Sequence, residues 1–115
     1  MEIKVALASS DGISVDEHFG RAARFLIYRL HNGDWELLET RENDPACSGH
    51  QHADHLLEQS AALIADCRGV AVAQIGPTAF DLLVGKCIYP LVLAIPVQDA
   101  LSAFRKSKFI NRVRT

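Results

Sequence analysis

Residues 47–55 read Cys-Ser-Gly-His-Gln-His-Ala-Asp-His, which places one thiol and three imidazoles within nine positions. Sulfur and imidazole nitrogen are soft or borderline ligands that suit transition metals and clusters rather than hard cations. A helix beginning near His52 sets His52 and His55 at i, i+3, neighbours on one face that can reach one metal together. Cys47 and His50 then sit on the loop before it. Closed zinc sites draw their ligand pairs from separate elements, so this crowding suits an open, exposed site for an exchangeable metal or cluster. The alternative is a polar first helical turn that happens to carry histidines.

A second constellation, Asp16-Glu17-His18-Phe19-Gly20-Arg21-Ala22, lies in the connection between the first two strands. At about 15 residues this connection is far longer than a hairpin needs, and long ordered loops often carry function. His18, flanked by two carboxylates and an arginine, has the chemistry of a metal or cluster ligand or an anion contact. The competing reading is a structured loop in which Phe19 packs inward, Gly20 allows a tight turn and the charged residues are solvated.

The remaining cysteines read differently. Cys67 falls on the apolar face of a helix, as a small buried hydrophobe would. Cys87 precedes an apolar strand and fits either a structural or a chemical role. The even spacing of Cys47, Cys67 and Cys87 reads as coincidence, because the three fall on different kinds of element. Three unpaired thiols point to a reducing compartment. Gly76-Pro77, between a strand and a helix, resembles an anion-binding turn, but the glycine patterns of nucleotide-binding loops are absent. Neither a G-x-S-x-G elbow nor an H-E-x-x-H motif is present.

The elements that position these groups follow from hydrophobic period. Ile3, Val5 and Leu7 alternate with Lys4, Ala6 and Ala8, which predicts a first strand over 3–8. A β-rich run over 24–30 leads through Asn32-Gly33, a type I′ hairpin signal, into a third strand over 35–40. The period then changes. Residues 53–67 predict a helix with Leu56, Leu57, Leu63, Ile64 and Cys67 on one face, stopped by Gly69. Continuous apolar runs over 70–75 and 88–95 predict parallel strands covered on both faces. Pro90 demotes the beginning of the second of these or places it at an edge. Helices are predicted over 78–84, with Pro77 in its first turn, and over 97–107. The order β-β-β-α-β-α-β-α predicts one α/β domain with a mixed sheet and helices on both sides.

Composition bounds the rest. The chain has 115 residues, 49% of them hydrophobic, with seven Gly and four Pro, which excludes disorder and collagen-like architectures. The longest apolar stretch, 89–97, has nine residues and two prolines, against the roughly 20 that span a bilayer. Ala6-Leu7-Ala8 mimics a signal-peptidase site, but too few apolar residues precede it, so a cytoplasmic strand is expected. The net charge of −2 conceals an asymmetry. Arg105, Lys106, Lys108, Arg112 and Arg114 give residues 105–115 a charge of +5. The first 104 residues hold seven basic and fourteen acidic residues, a charge of −7. An acidic body argues against a nucleic-acid-binding surface. Residues 108–115 are expected to form a basic C-terminal tail on a domain of residues 1–107.

Residues 8–22 (A-S-S-D-G-I-S-V-D-E-H-F-G-R-A), 75–83 (I-G-P-T-A-F-D-L-L) and 97–104 (V-Q-D-A-L-S-A-F) together resemble the dinitrogenase iron–molybdenum cofactor biosynthesis family. These are small NifX-type cluster-binding proteins, also found as domains of larger nitrogenase cofactor assembly proteins. The resemblance, over residues 1–107, implies a ribonuclease-H-like fold with three antiparallel strands followed by two parallel ones. It also implies binding of an iron–sulfur or iron–molybdenum type cluster, with His18 as first-loop ligand. Two departures stand out. The loop after the third strand is glycine-rich in many relatives but here carries Cys47, His50, His52 and His55. Gln74 stands where a small residue is expected.

The expectation is therefore a non-catalytic carrier that holds such a cluster and passes it between a donor and an acceptor protein. Its ligands would be His18, Cys47 and one or more of His50, His52 and His55, with Arg21 offsetting the cluster's negative charge. The alternative is a regulatory or interaction protein that binds a simple Zn²⁺ or Ni²⁺ ion through Cys47, His50, His52 and His55, or no metal. A metal-dependent nuclease, which the fold would permit, needs acids on central strands. Residues 3–8 and 70–75 contain none.

Overall fold

The structure is a computed structural model that describes residues 3–43 and 53–106, with side chains in the second segment from Leu57 onward. Five strands form one mixed sheet in the order β3-β2-β1-β4-β5, where β1 is Ile3–Ala8, β2 Arg24–His31, β3 Asp34–Glu42, β4 Gly69–Val72 and β5 Tyr89–Val92. β1, β2 and β3 are antiparallel neighbours, while β1, β4 and β5 run parallel. Helices α1 (Ala53–Leu63), α2 (Pro77–Gly85) and α3 (Val97–Lys106) complete the fold.

Both faces of the sheet are covered, so β1 separates two cores by its alternation. Ala6 and Ala8 join Phe25, Ile27, Val70 and Val72 beneath Ala61 and Ile64 of the α1 region and Ala79 and Leu83 of α2. Ile3, Val5 and Leu7 join Leu26 and Ala71 beneath Val97, Ala100, Leu101 and Phe104 of α3. Small residues face the two-helix layer and larger ones face the single helix. The Trp35 indole N–H donates to the Leu101 carbonyl at 2.8 Å and fastens the hairpin to α3. Asn32 and Gly33 both adopt positive φ, as the type I′ turn requires.

Several boundaries differ from those read in the sequence. The α1 helix stops at Leu63, not at residue 67. Ile64, Ala65 and Cys67 N–H donate three residues back, which tightens the chain into turns. Arg41 Nη1 occupies the Leu63 carbonyl at 3.0 Å. Gly69 accordingly opens β4 rather than ending the helix. It must be glycine, because a Cβ there would lie 2.6 Å from Phe104 Cε1 and 3.2 Å from the Tyr89 carbonyl. The apolar runs 70–75 and 88–95 yield strands of only four residues each, ending at Val72 and Val92. Their remainders leave the sheet to hold the long first loop: Ala73 N–H donates to the Glu17 carbonyl at 2.9 Å and Val15 N–H to the Ile95 carbonyl at 2.8 Å. β5 is an edge strand, and Tyr89 N–H points to β4 by donating to the Arg68 carbonyl at 2.8 Å. Pro90, which lacks an N–H, therefore costs the ladder nothing.

Candidate functional site

Residues 9–22 leave the carboxyl end of β1 and fold back over the carboxyl ends of β4 and β5. Asp11 shapes the first turn by accepting from Ile13 N–H at 2.8 Å and Ser14 N–H at 3.0 Å. Those backbone bonds hold its carboxyl below the ordinary carboxylate range. Asp16 accepts from Ser10 N–H at 2.9 Å and Ser10 Oγ–H at 2.5 Å. Beyond it His18 pairs in a parallel bridge with Gln74, and Phe19 N–H donates to the Gln74 carbonyl at 3.1 Å. Phe19, Gly20 and Arg21 then form a single 3-10 turn. Phe19 is buried and tilts against Phe25 with ring centroids 6.0 Å apart. This is the anchor that leaves His18, just before it, and Arg21, two residues after it, at the surface.

Between this turn and the start of α2 lies a cleft of about 440 Å³. One wall comprises His18, Phe19, Gly20 and Arg21; the other comprises Gln74, Ile75, Gly76, Pro77, Thr78 and Ala79, with Leu57 of α1 between them. Gly76 caps α2 in extended conformation without a side-chain cap, and Pro77 occupies the first turn. The walls are close enough that a Cβ on Gly20 would lie 3.1 Å from Leu57 Cδ2. The position obeys a general rule of α/β sheets: ligands bind beyond the carboxyl ends of parallel strands, where successive connections diverge. From β1 the chain turns to β2 on one side, and from β4 to β5 on the other.

The chemistry of the lining is one-sided. It contains an imidazole, a guanidinium, an amide and a hydroxyl, and no acidic residue. Asp16, adjacent in sequence, is turned to Ser10 instead. A helix start without an acidic first turn adds the positive end of its dipole. Such a lining suits an anionic ligand better than a hard cation. Among the described residues no group of three or more His, Cys, Asp or Glu side chains is gathered as a metal cage.

Of the expected site residues, His18 and Arg21 are brought together in the cleft. Cys47, His50 and His52 lie outside the described residues. His55 falls on the backbone of α1, two positions before Leu57 in the cleft wall. The tail at 108–115 also lies outside the described residues. Gln74 and Thr78 belong to the cleft but were not among the expected site residues. The signal for them was the Gly76-Pro77 turn itself, flanked by two polar side chains at the end of an apolar strand. The even spacing of two cysteines also has a structural basis after all. Cys67 and Cys87 each precede by two residues the paired positions Gly69 and Tyr89, so they occupy equivalent places before neighbouring parallel strands.

Comparison with known proteins agrees with this fold. The family model described as dinitrogenase iron-molybdenum cofactor matches residues 1–107. FeMo cofactor biosynthesis protein NifB of Klebsiella pneumoniae is 34% identical over 109 residues, covering 87% of this chain and 23% of its own length. Protein NifY of Azotobacter vinelandii is 31% identical over 93 residues, covering 80% of this chain and 36% of its own length. The chain thus spans less than a quarter of that NifB and about a third of NifY. Among solved structures, PH0822 superposes with a TM-score of 0.68 at 21% identity, covering 90% of each chain. The apo form of the orange protein from Desulfovibrio gigas superposes with a TM-score of 0.64 at 21% identity, covering 88% of this chain and 85% of that one. Among the described residues no helix is long and apolar enough to cross a membrane. The chain belongs to the dinitrogenase iron–molybdenum cofactor family.

Proposed function

We propose that this chain is a non-catalytic carrier that holds an iron–sulfur or iron–molybdenum type cluster as cargo in the cleft and hands it to a partner in cofactor assembly. The observation that carries the reading is the placement of His18 and Arg21 on one wall of an acid-free cleft at the carboxyl ends of β1 and β4. Membership of the family, and the names of its NifB and NifY relatives, supply the class of cargo. His18 is the cluster ligand and Arg21 offsets cluster charge through a guanidinium that stays protonated. Few ligands and an open mouth suit a cargo that must leave again. Cys47 and one or more of His50, His52 and His55 are further ligands in this proposal, because residues 47–55 lead directly into the helix whose Leu57 lines the cleft.

The test is anaerobic loading with cluster, followed by metal content and the visible spectrum. His18→Ala and a Cys47/His50/His52/His55 alanine set should each lose retained metal and colour. Unchanged stoichiometry and affinity in both would overturn the assignment. Tight, colourless uptake of Zn²⁺ with no visible absorbance after cluster loading would favour the simple-ion reading instead.

A further inference from the structure

At the opposite end of the parallel strands is a second cavity, of about 320 Å³, lined by Ala65, Asp66, Cys67, Arg68, Lys86 and Cys87. Two of the three cysteines of the chain line it, and the sheet register explains why both reach the same end of the sheet. Gly69 pairs with Tyr89, so the two connections that carry Cys67 and Cys87 enter adjacent strands side by side.

The position of Cys87 is unusual for a cysteine. Cys87 N–H donates to the Val84 carbonyl at 3.0 Å and Ile88 N–H to the Leu83 carbonyl at 2.9 Å. This is the bonding pattern of a Schellman helix end, whose left-handed residue is ordinarily glycine. Here a cysteine takes that position, with φ of 62°, and its side chain is exposed. Cys67 is the complement: it is 3% exposed, and burial pushes its thiol up to about 12. The one carboxylate in the cavity, Asp66, accepts from Arg41 at 2.6 and 3.0 Å, from Lys4 at 3.2 Å and from the Cys67 thiol at 3.8 Å, a bond that a metal on that sulfur replaces.

We propose that Cys67 and Cys87 form a two-sulfur site for a soft monovalent cation such as Cu(I) at the amino ends of β4 and β5. Thiolate sulfur selects soft ions. Zinc asks for about four ligands, of which this cavity offers two thiols. Each sulfur that begins as a thiol exchanges its S–H bond for an S–Cu bond and releases the proton to solvent, with no change of oxidation state. Lys86 and Arg68, which share the cavity lining, offset the charge of the paired thiolates. The site is separate from the cleft and stands or falls without it.

The experiment presents Cu(I) to the reduced full chain without oxygen, as the coloured complex of an excess of a bidentate chelator. Wild type and Cys47→Ser should each withdraw one equivalent of copper. Cys87→Ser, an isosteric change at an exposed position, should withdraw none while its cluster loading at the cleft is unchanged. Bound Cu(I) should also protect Cys87 from alkylation by iodoacetamide, read by mass spectrometry of the digested chain. This second readout does not require a Cys67 variant to fold. Retention of the copper by Cys87→Ser, its loss in Cys47→Ser, or unprotected alkylation of Cys87 would each overturn the proposal.

Discussion

Arg41 on β3 grips both carboxylate oxygens of Asp66, donating from Nη1 to Oδ1 at 2.6 Å and from Nη2 to Oδ2 at 3.0 Å. The same guanidinium reaches the Leu63 carbonyl, so one side chain ties an edge strand to the end of α1 and to the approach to β4. Arg41 holds the Asp66 carboxyl well below the ordinary carboxylate range, with Lys4 assisting. A depressed carboxyl stabilises the fold at pH values above its unfolded pKa and loses that contribution as pH falls through the folded value. Asp66 is about half exposed, so Asp66→Asn should cost about 1 kcal/mol near neutrality. Urea unfolding should show the gap from wild type closing as pH falls below about 4. A gap independent of pH would mean that the pair contributes packing rather than charge.

Gly69→Ala should be among the most damaging single-atom additions in the chain. Its new Cβ meets Phe104 in the core and the Tyr89 carbonyl on the partner strand. Overpacking of this kind costs about 1–3 kcal/mol, and the backbone oxygen on one side argues for the upper end. Phe104→Ala alone should cost about 3–5 kcal/mol by leaving a cavity. The double variant should lose less than the two together, because the alanine at 104 removes the ring contact. Strict additivity in chemical denaturation would refute the clash.

Asn43 holds α1 to the strand layer. Its Nδ2 donates to the Ala22 carbonyl at 2.7 Å and to Ser60 Oγ at 3.1 Å. Ser60 is buried, so losing this partner strands a polar atom. Asn43→Ala should destabilise by about 1–2 kcal/mol. Faster amide exchange should appear in α1 before it appears in α3, whose contacts lie on the other face of the sheet.

Thr78→Glu separates binding from stability. A carboxylate in the first turn of α2 interacts favourably with the helix dipole, by about 0.3–1 kcal/mol, so the melting temperature should hold or rise. The same charge enters a cleft lined without acids. Cluster loading should therefore fall by at least about tenfold, equivalent to about 1.4 kcal/mol. Full loading would show that the cargo does not sit against this wall.

The sequence was informative where local chemistry decides structure. Asn32-Gly33 set the hairpin, the alternation of β1 sorted its side chains between two cores, and Pro90 marked the open edge. Periodicity overran where the chain changes partner without changing polarity. Ala73 is apolar like Val72, yet its N–H bonds the Glu17 carbonyl in the first loop rather than the sheet. Nothing in its side chain announces that exchange. The site divided in the same way. His18 and Arg21 stood out by type, whereas Gln74 and Thr78 line the same cleft only because a bridge from His18 to Gln74 joins segments over fifty positions apart.

That distance also governs when the site can exist. The β2–β3 hairpin closes locally, but β1 must find β4 through pairs such as Val5 with Gly69, a slow, non-local closure. One cleft wall is made before the hairpin and the other only after β4, so neither forms a receptacle alone. A chain still emerging from the ribosome lacks the second wall until residue 79 is free to dock. For the carrier proposed above, competence to take up cargo thus arrives only with the closing of the sheet.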